Sequence, residues 1–491
     1  MAKLIAKGEQ RTFNVGYLFL QEIVSKLGLK KACKNIQKKT RTKYDLYNIL
    51  ALLIYARILF PASKQSSLTY IKDMLGVKEH GLHDIYRSLS LLAKHKEALV
   101  SAAYHHSTKV RPRDTRILYY DCTNFHFEIE AAEDMKQYGV SKEHRPNPII
   151  QMGLFMDANG LPLSFTLFDG NQNEQPSMKP LEKEIIRDFK LSDFVVCTDA
   201  GLSSKQNRQY NSLGNRHFIT TQSIKKLKKS LKEWALDPNG WKKPNSKQEY
   251  NLNKLDLDND DSIYYKMRPI NEDKLEQNLF VTFSPKHLRY QRQIRENQIN
   301  RAIKQANSKQ KGRKNIPNDP ARFITEKHFT ENGEKADKVQ YVINKGQIKK
   351  EEMFDGFYGI CTDLEASPLE LIKINKRRWE IERCFREMKT EFQACPVYLR
   401  REERIKSHFL VCFLALLVFR LFKQKVPGYN SYELVKTLRK FALTEISPGD
   451  YIPIFQRTDL TDKIHESFGF RLDRELITQK YFKKIFNQTK I

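Results

Sequence analysis

Two short apolar, β-prone runs, Ile117–Tyr120 and Phe194–Thr198, each lead directly into an aspartate, Asp121 and Asp199. Runs of this length and composition suit buried strands. Between them, Ile149–Asp157 and Leu161–Phe168 flank Asn159-Gly160, the strongest short turn signal, and read as a hairpin. Met178–Phe189 follows with apolar residues at helical spacing, and His217–Thr221 reads as one more short strand. A strand, a hairpin, a helix and a further strand in that order constrain this stretch to a mixed α/β sheet. A carboxylate at the carboxyl end of a strand stands where open α/β sheets build their sites. Taken alone, each aspartate has a plainer use in an Asx-turn or as the cap of the next helix.

A third acid changes the balance. Ser367-Pro368-Leu369-Glu370 is a capping box with proline at the first helical position. The helix it opens is predicted to continue through Lys389. At 100° per residue, Ile374, Ile381, Phe385, Met388 and Phe392 fall on one apolar stripe. Asn375, Arg378, Glu382, Arg386 and Lys389 form a row about a quarter-turn away, with Glu382 its single acid. Glu380, Glu387 and Glu391 fall on the side predicted to be solvated. An exposed Arg378–Glu382 ion pair would account for one contact but not for the other polar and basic residues in line with it. Three carboxylates, Asp121, Asp199 and Glu382, suit one or two Mg²⁺ ions, which prefer oxygen ligands. The flanking cations suit phosphates.

Charge points the same way. Lys and Arg total 86 against 58 Asp and Glu, a formal +28. A surplus of that size favours a polyanionic partner, since each phosphate contact releases condensed counterions. The seven cysteines are scattered with no C-x-x-C pair, which argues against a disulfide framework and a cysteine zinc site. The start, Met1–Lys7, is too short in apolar run for a signal peptide. Phe409–Phe419 is strongly apolar but flanked by Lys406 and Arg420, well short of the roughly 20 residues of a membrane span. It is predicted to be a buried helix of a soluble, cytoplasmic protein with no membrane partner.

Along the chain, residues 1–110 read as helical, with apolar spacing over Tyr17–Leu27 and Leu46–Leu59 and a break at Pro61. Residues 111–224 hold the first strands. Residues 225–353 break the rhythm as an insertion, with β-like runs at Ile263–Met267, Leu279–Phe283 and Val339–Ile343. Within it Lys286–Lys314 carries ten Lys/Arg against Glu296 alone, and Ser284-Pro285 is placed to start a helix there. Residues 354–425 return to buried-strand character at Phe357–Thr362 and carry the Glu382 helix. Residues 426–491 are expected to be helical.

The stretch from Arg378 resembles the R-x3-E-x6-K part of the signature of insertion-sequence transposases of the IS-four kind, with Arg378, Glu382 and Lys389 matching. Asn375 stands where that pattern has tyrosine. The resemblance extends to LYYDCTNFHFEIE, to the block from Gly139 to Glu174, to VVCTDAGLSSKQN and to the stretch from Cys395 to Leu421, covering roughly 115–425. It implies a ribonuclease-H-like catalytic domain interrupted by a mainly β insertion, with Asp121, Asp199 and Glu382 as catalytic metal ligands. It also implies Mg²⁺ as cofactor, with Mn²⁺ able to substitute, and binding of double-stranded DNA at element ends and target, as a homodimer. Arg378, Arg386, Lys389, Asn375 and Trp379 would contact that DNA, Trp379 by stacking on a displaced base. The helical 1–110 region is the expected DNA reader and 426–491 the expected dimerising region, in a prokaryotic cell at its nucleoid. Two alternatives stand beside this: a ribonuclease-H-like nuclease or resolvase, and a domesticated, catalytically silent DNA-binding protein.

Overall fold

The computed structural model describes residues 6–40, 42–272, 274–307, 319–329 and 338–490. The first residues of the start read above, and 308–314 of the cationic stretch, lie outside them. The chain forms two compact units, one from Met1–Cys197, Leu213–Arg216 and Lys376–Ile491, the other from Thr198–Ser212 and His217–Asn375.

The first unit opens with a three-residue strand, β1 (Thr12–Asn14), and helices α1 (Tyr17–Lys26), α2 (Leu29–Thr40), α3 (Leu46–Leu59), α4 (Lys64–Lys72), α5 (Leu82–Lys94) and α6 (Lys96–Val110). The expected break at Pro61 separates α3 from α4, and Ser63 caps α4 by accepting from the Ser66 N–H. The period then changes as the sequence predicts. Strands β2 (Ile117–His126), β3 (Ile149–Asp157) and β4 (Pro162–Asp169), helix α7 (Met178–Phe189) and strand β5 (Phe194–Thr198) follow. The sheet order here is β4-β3-β2-β5, antiparallel except for the parallel β2–β5 pair. β3 is buried along its whole length. Gly153 has no side chain because a Cβ there would lie 2.0 Å from the Tyr120 Oη.

The second unit holds α8 (Lys205–Asn211), β6 (Arg216–Gln222), α9 (Lys229–Leu236), the two-residue strands β7 (Trp241–Lys242) and β8 (Glu249–Tyr250), β9 (Tyr264–Glu272) and β10 (Leu275–Phe283). It continues with α10 (Pro285–Asn307), β11 (Ile324–Phe329), β12 (Lys338–Ile343), α11 (Lys345–Glu352), β13 (Phe357–Thr362) and most of α12 (Pro368–Arg377). Its sheet runs β6-β13-β10-β9-β7-β8, antiparallel throughout. The predicted runs in 263–283 are thus a hairpin laid edge-on against β13. Trp241, fully buried among Phe283, Phe357 and Leu279, centres its core.

The chain returns to the first unit with α13 (Trp379–Arg386), α14 (Glu402–Lys425), α15 (Ser431–Lys440), β14 (Ala442–Ser447), β15 (Asp450–Pro453), α16 (Asp459–Phe468) and α17 (Gln479–Gln488). α14 is long and apolar enough to span a bilayer, yet Phe409–Phe419 is buried inside the fold, as its charged flanks predict.

The helix opened by Ser367 does not run unbroken. α12 stops at Arg377 and α13 begins at Trp379; Arg378 between them keeps an α backbone (φ −55°, ψ −30°). A π turn over Glu387–Glu391 then ends the run, closed by the Phe392 N–H on the Glu387 carbonyl. The apolar stripe is as expected, with Ile374, Ile381, Phe385, Met388 and Phe392 all buried.

Candidate active site

Register fixes the side of the sheet that Asp121 faces. Pairing sets Tyr119 opposite Met156 and Asp121 opposite Leu154, and directly paired residues share a face. On that face α13 brings the Cys384 sulfur to 3.6 Å from the Met156 sulfur. α14 brings Phe409 to 4.8 Å from Phe125 and Phe413 to 5.0 Å from Phe165, centroid to centroid. The helix bearing Glu382 therefore packs on the side to which Asp121 points. The Arg378 guanidinium also reaches the field of Cys197 on β5, although burial keeps that thiol pushed up to about 12.

Asp121 lies in the middle of β2, which continues to His126, and not at a strand end as its apolar run suggests. It is half-buried, and its Oδ1 accepts from the N–H of Cys122 at 2.8 Å. Around it stands a pair of residues that sequence spacing does not single out. Lys142 lies 3.1 Å from Glu174 and donates to the Cys122 carbonyl. Burial works against the Lys142 charge, but the carboxylates of Asp121 and Glu174 outweigh it and hold its pKa above the ordinary lysine value. Both residues lie in the block from Gly139 to Glu174 that carries the resemblance, where no periodicity marks them.

The basic row is real and partly paired. The Glu382 side chain is 53% exposed and lies 3.6 Å from Arg378. Arg386 is exposed. Lys389 pairs with Glu143 at 2.8 Å and lies over the Phe125 ring. Burial opposes the ionisation of Glu143, yet Lys389, His126 and Arg145 hold its carboxyl below the usual range. Trp379 is 52% exposed, with Arg383 over its ring at 5.6 Å.

The other flank of the helix differs from the expectation of solvated glutamates. Glu387 is buried, 2.6 Å from Arg420 and 2.7 Å from the Ser431 hydroxyl. Glu380 meets the same Arg420 at 2.8 Å. α14 covers this flank, which the pattern of a single helix does not reveal.

In the second unit, Asp199 uses one oxygen as a cap: its Oδ1 accepts from the N–H groups of Gly201 at 3.0 Å and Leu202 at 3.1 Å. Asn375 is half-buried, and its Oδ1 meets no hydrogen-bond donor among the described residues. Among the described residues, the acid and histidine group whose ligand atoms all lie within 4.8 Å of one another is Asp462, His465 and Asp473. Arg471 neutralises both of its carboxylates at 2.5 Å, so its chemistry is that of an ion-pair cluster.

A model of the transposase DDE domain matches residues 112–418, from just before β2 into α14. The chain belongs to the DDE transposase family. Among solved structures, this transposase is similar to the piggyBac transposase synaptic complex with hairpin DNA, at 9% identity and a TM-score of 0.40, covering 98% of this chain and 88% of that one. It is similar to the Mos1 transposase paired-end complex with left transposon end at 11% identity and a TM-score of 0.15, covering 35% and 56%. No curated protein matches its sequence.

Proposed function

We propose that this DDE transposase binds the terminal inverted repeats of a mobile element and catalyses Mg²⁺-dependent DNA cleavage and strand transfer. The observation that carries the reading is the packing of the Glu382 helix on the sheet face to which Asp121 points. Asp199 lies two residues beyond Cys197, the parallel partner of Tyr119, just as Asp121 lies two beyond Tyr119. In this reading residues 111–224 and 354–425 make a ribonuclease-H-like catalytic domain and 225–353 is its mainly β insertion.

Asp121, Asp199 and Glu382 offer carboxylate oxygens alone, the donor set that suits Mg²⁺ and admits Mn²⁺. A bound divalent ion supplies a lowered pKa for the attacking water or 3′-hydroxyl and charge stabilisation for the leaving oxygen. Lys142 stays cationic beside Asp121, so it offsets carboxylate repulsion and attracts a phosphate. Arg378, Arg386 and Lys389 grip phosphates along the helix, and a phosphate must displace Glu143 from Lys389 or share it. The exposed Trp379 offers an aromatic face to an unstacked base. Residues 1–110 contribute a DNA surface: α2 exposes Lys30, Lys31, Lys34, Lys38 and Lys39 and contains no acid. Residues 426–491 take part in a homodimer on DNA, in a prokaryotic cytoplasm.

The test is cleavage of a labelled duplex carrying the DNA end next to the gene, with Mg²⁺. Asp121→Asn, Asp199→Asn and Glu382→Gln are each expected to reduce cutting by a thousandfold or more, on the order expected for an essential catalytic group, and to leave end binding largely intact. Normal cutting by any one removes that residue from the site. Specific binding without cutting by the wild type, in Mg²⁺ or Mn²⁺, points instead to a silent DNA-binding protein.

A further inference from the structure

The second unit presents a helix whose two faces have different employments. On one, Leu288, Arg295 and Ala302 are buried at seven-residue steps. Arg295 makes a two-pronged pair with buried Asp355, and Ala302 packs with Phe323 and Ile324. Gln291 accepts from the Gly356 N–H at 2.7 Å, and Gln298 accepts from Arg322. These contacts hold α10 to its unit over most of its length.

At 100° per residue the opposite face of α10 carries Lys286, Tyr290, Gln293, Asn297, Asn300, Arg301 and Lys304, within about 60° of a common line. All are exposed and none is an acid, although Lys286 is paired with Asp261 at 3.6 Å, which a phosphate would have to displace or share. Asn is among the weaker helix formers, so Asn297 and Asn300 in mid-helix serve neither the core nor helix propensity. Nor is this an ordinary solvated helix face, where charges of both signs would alternate. Lys286 and Lys304 stand 18 residues apart, roughly 27 Å at the α-helical rise. Between them run three amides, a tyrosine and an arginine.

We infer that this face of α10 reads double-stranded DNA in the major groove, with Gln293, Asn297 and Asn300 on base edges and Lys286, Arg301 and Lys304 on the phosphates. The inference rests on the reading of the chain as a transposase that binds element ends, and adds a second, sequence-reading surface within the insertion. The partner follows from charge and donor type together. A major groove about 12 Å wide admits one helix, amide side chains pair bidentately with adenine edges, and cations flank the groove walls. A protein partner would call for apolar anchors at the centre of the stripe, and the centre is amide.

The experiment measures binding of the full-length chain to the repeat duplex and to a scrambled duplex across a salt series. Gln293→Ala with Asn297→Ala and Asn300→Ala is expected to lower the repeat-to-scrambled preference by at least tenfold and to leave scrambled-duplex binding within about twofold. Because alanine favours helix, its Tm stays equal or rises. Arg301→Ala with Lys304→Ala is expected to weaken both duplexes alike and to reduce the salt slope by about 2. A wild-type preference that survives the amide substitutions overturns this inference and leaves the transposase reading standing. A wild type with no preference for the repeat overturns the end-binding reading and this inference with it.

Discussion

Single residues show how burial sets the balance of charge. Lys64 begins α4 yet is only 5% exposed. Burial, then the neighbouring Arg57 charge, brings its pKa down to about 7. His408 sits in the same cationic pocket, and burial, Arg57 and Lys64 drive its pKa well below the ordinary value. The unfolded chain keeps a proton on Lys64 up to about pH 10, so between about 7 and 10 the unfolded state binds more protons and stability rises with pH. Below 7 both states carry the charge and the full cost of burying it is present. Lys64→Met is therefore expected to raise the Tm at pH 7 by a few degrees and to flatten that rise, read from melts at pH 7, 8 and 9. A variant less stable than the wild type at pH 7 would mean that the ammonium is well compensated. The same scale marks what a sequence does and does not disclose about a site. Asp121 and Asp199 stand out because an apolar run leads into each of them. Lys142 and Glu174 do not, since their relation to Asp121 exists only once the loop from Gly139 and the turn before α7 fold back to β2.

Elements were legible where their cause is local. Asn159-Gly160 marks the hairpin, although the loop closes over three residues, Ala158–Gly160, with the Asp157 N–H on the Leu161 carbonyl and Gly160 at φ +79°. Ser284-Pro285 starts α10 as expected. The Glu382 helix was legible in its apolar stripe but not in its far flank, because that flank answers to a partner. That partner is Arg420 of α14, which meets Glu387 at 2.6 Å and Glu380 at 2.8 Å while 6% exposed. Removing Arg420 from this buried set leaves Glu387 with the longer contact to Lys423 at 3.4 Å, at a cost approaching the roughly 3–5 kcal/mol of a broken buried pair. Arg420→Met should destabilise the chain by that amount in urea unfolding. It should also lower cleavage, because the helix that aims Glu382 loses its tie. Adding Glu387→Leu should recover most of the stability, since well-packed apolar groups replace buried ion pairs at little cost. If the double variant is no better than the single, the loss comes from packing around the Arg420 stem rather than from the stranded carboxylate.

For the whole molecule, the decisive relations are the ones farthest apart in sequence, where periodicity has no reach. Read locally, residues 1–110 and 426–491 are two separate regions. In the fold they share a unit. β1 pairs with β14 so that Thr12 lies opposite Thr444. The backbone at Gly16 approaches Leu438 so closely that a Cβ would stand 2.0 Å from its carbonyl oxygen. Gln21 donates to the Thr489 hydroxyl at 2.7 Å, and Phe19 stacks on Phe470 at 4.7 Å and meets Phe441 and Phe468 edgewise or tilted. Removing residues 442–490 would strip β1 of its strand partner and expose an aromatic cluster that contains Phe19. Uncovering one large aromatic of this kind costs on the order of 3–5 kcal/mol, a large share of the stability of an ordinary domain. The truncated chain is expected to aggregate or to bind a hydrophobic dye, with its first cooperative melting transition lost, even though every residue of α1–α6 is present. A soluble truncation that melts as the full chain does would show instead that the amino-terminal helices hold together without the carboxyl-terminal strands and helices, and that α14 and α15 alone supply the cover they need.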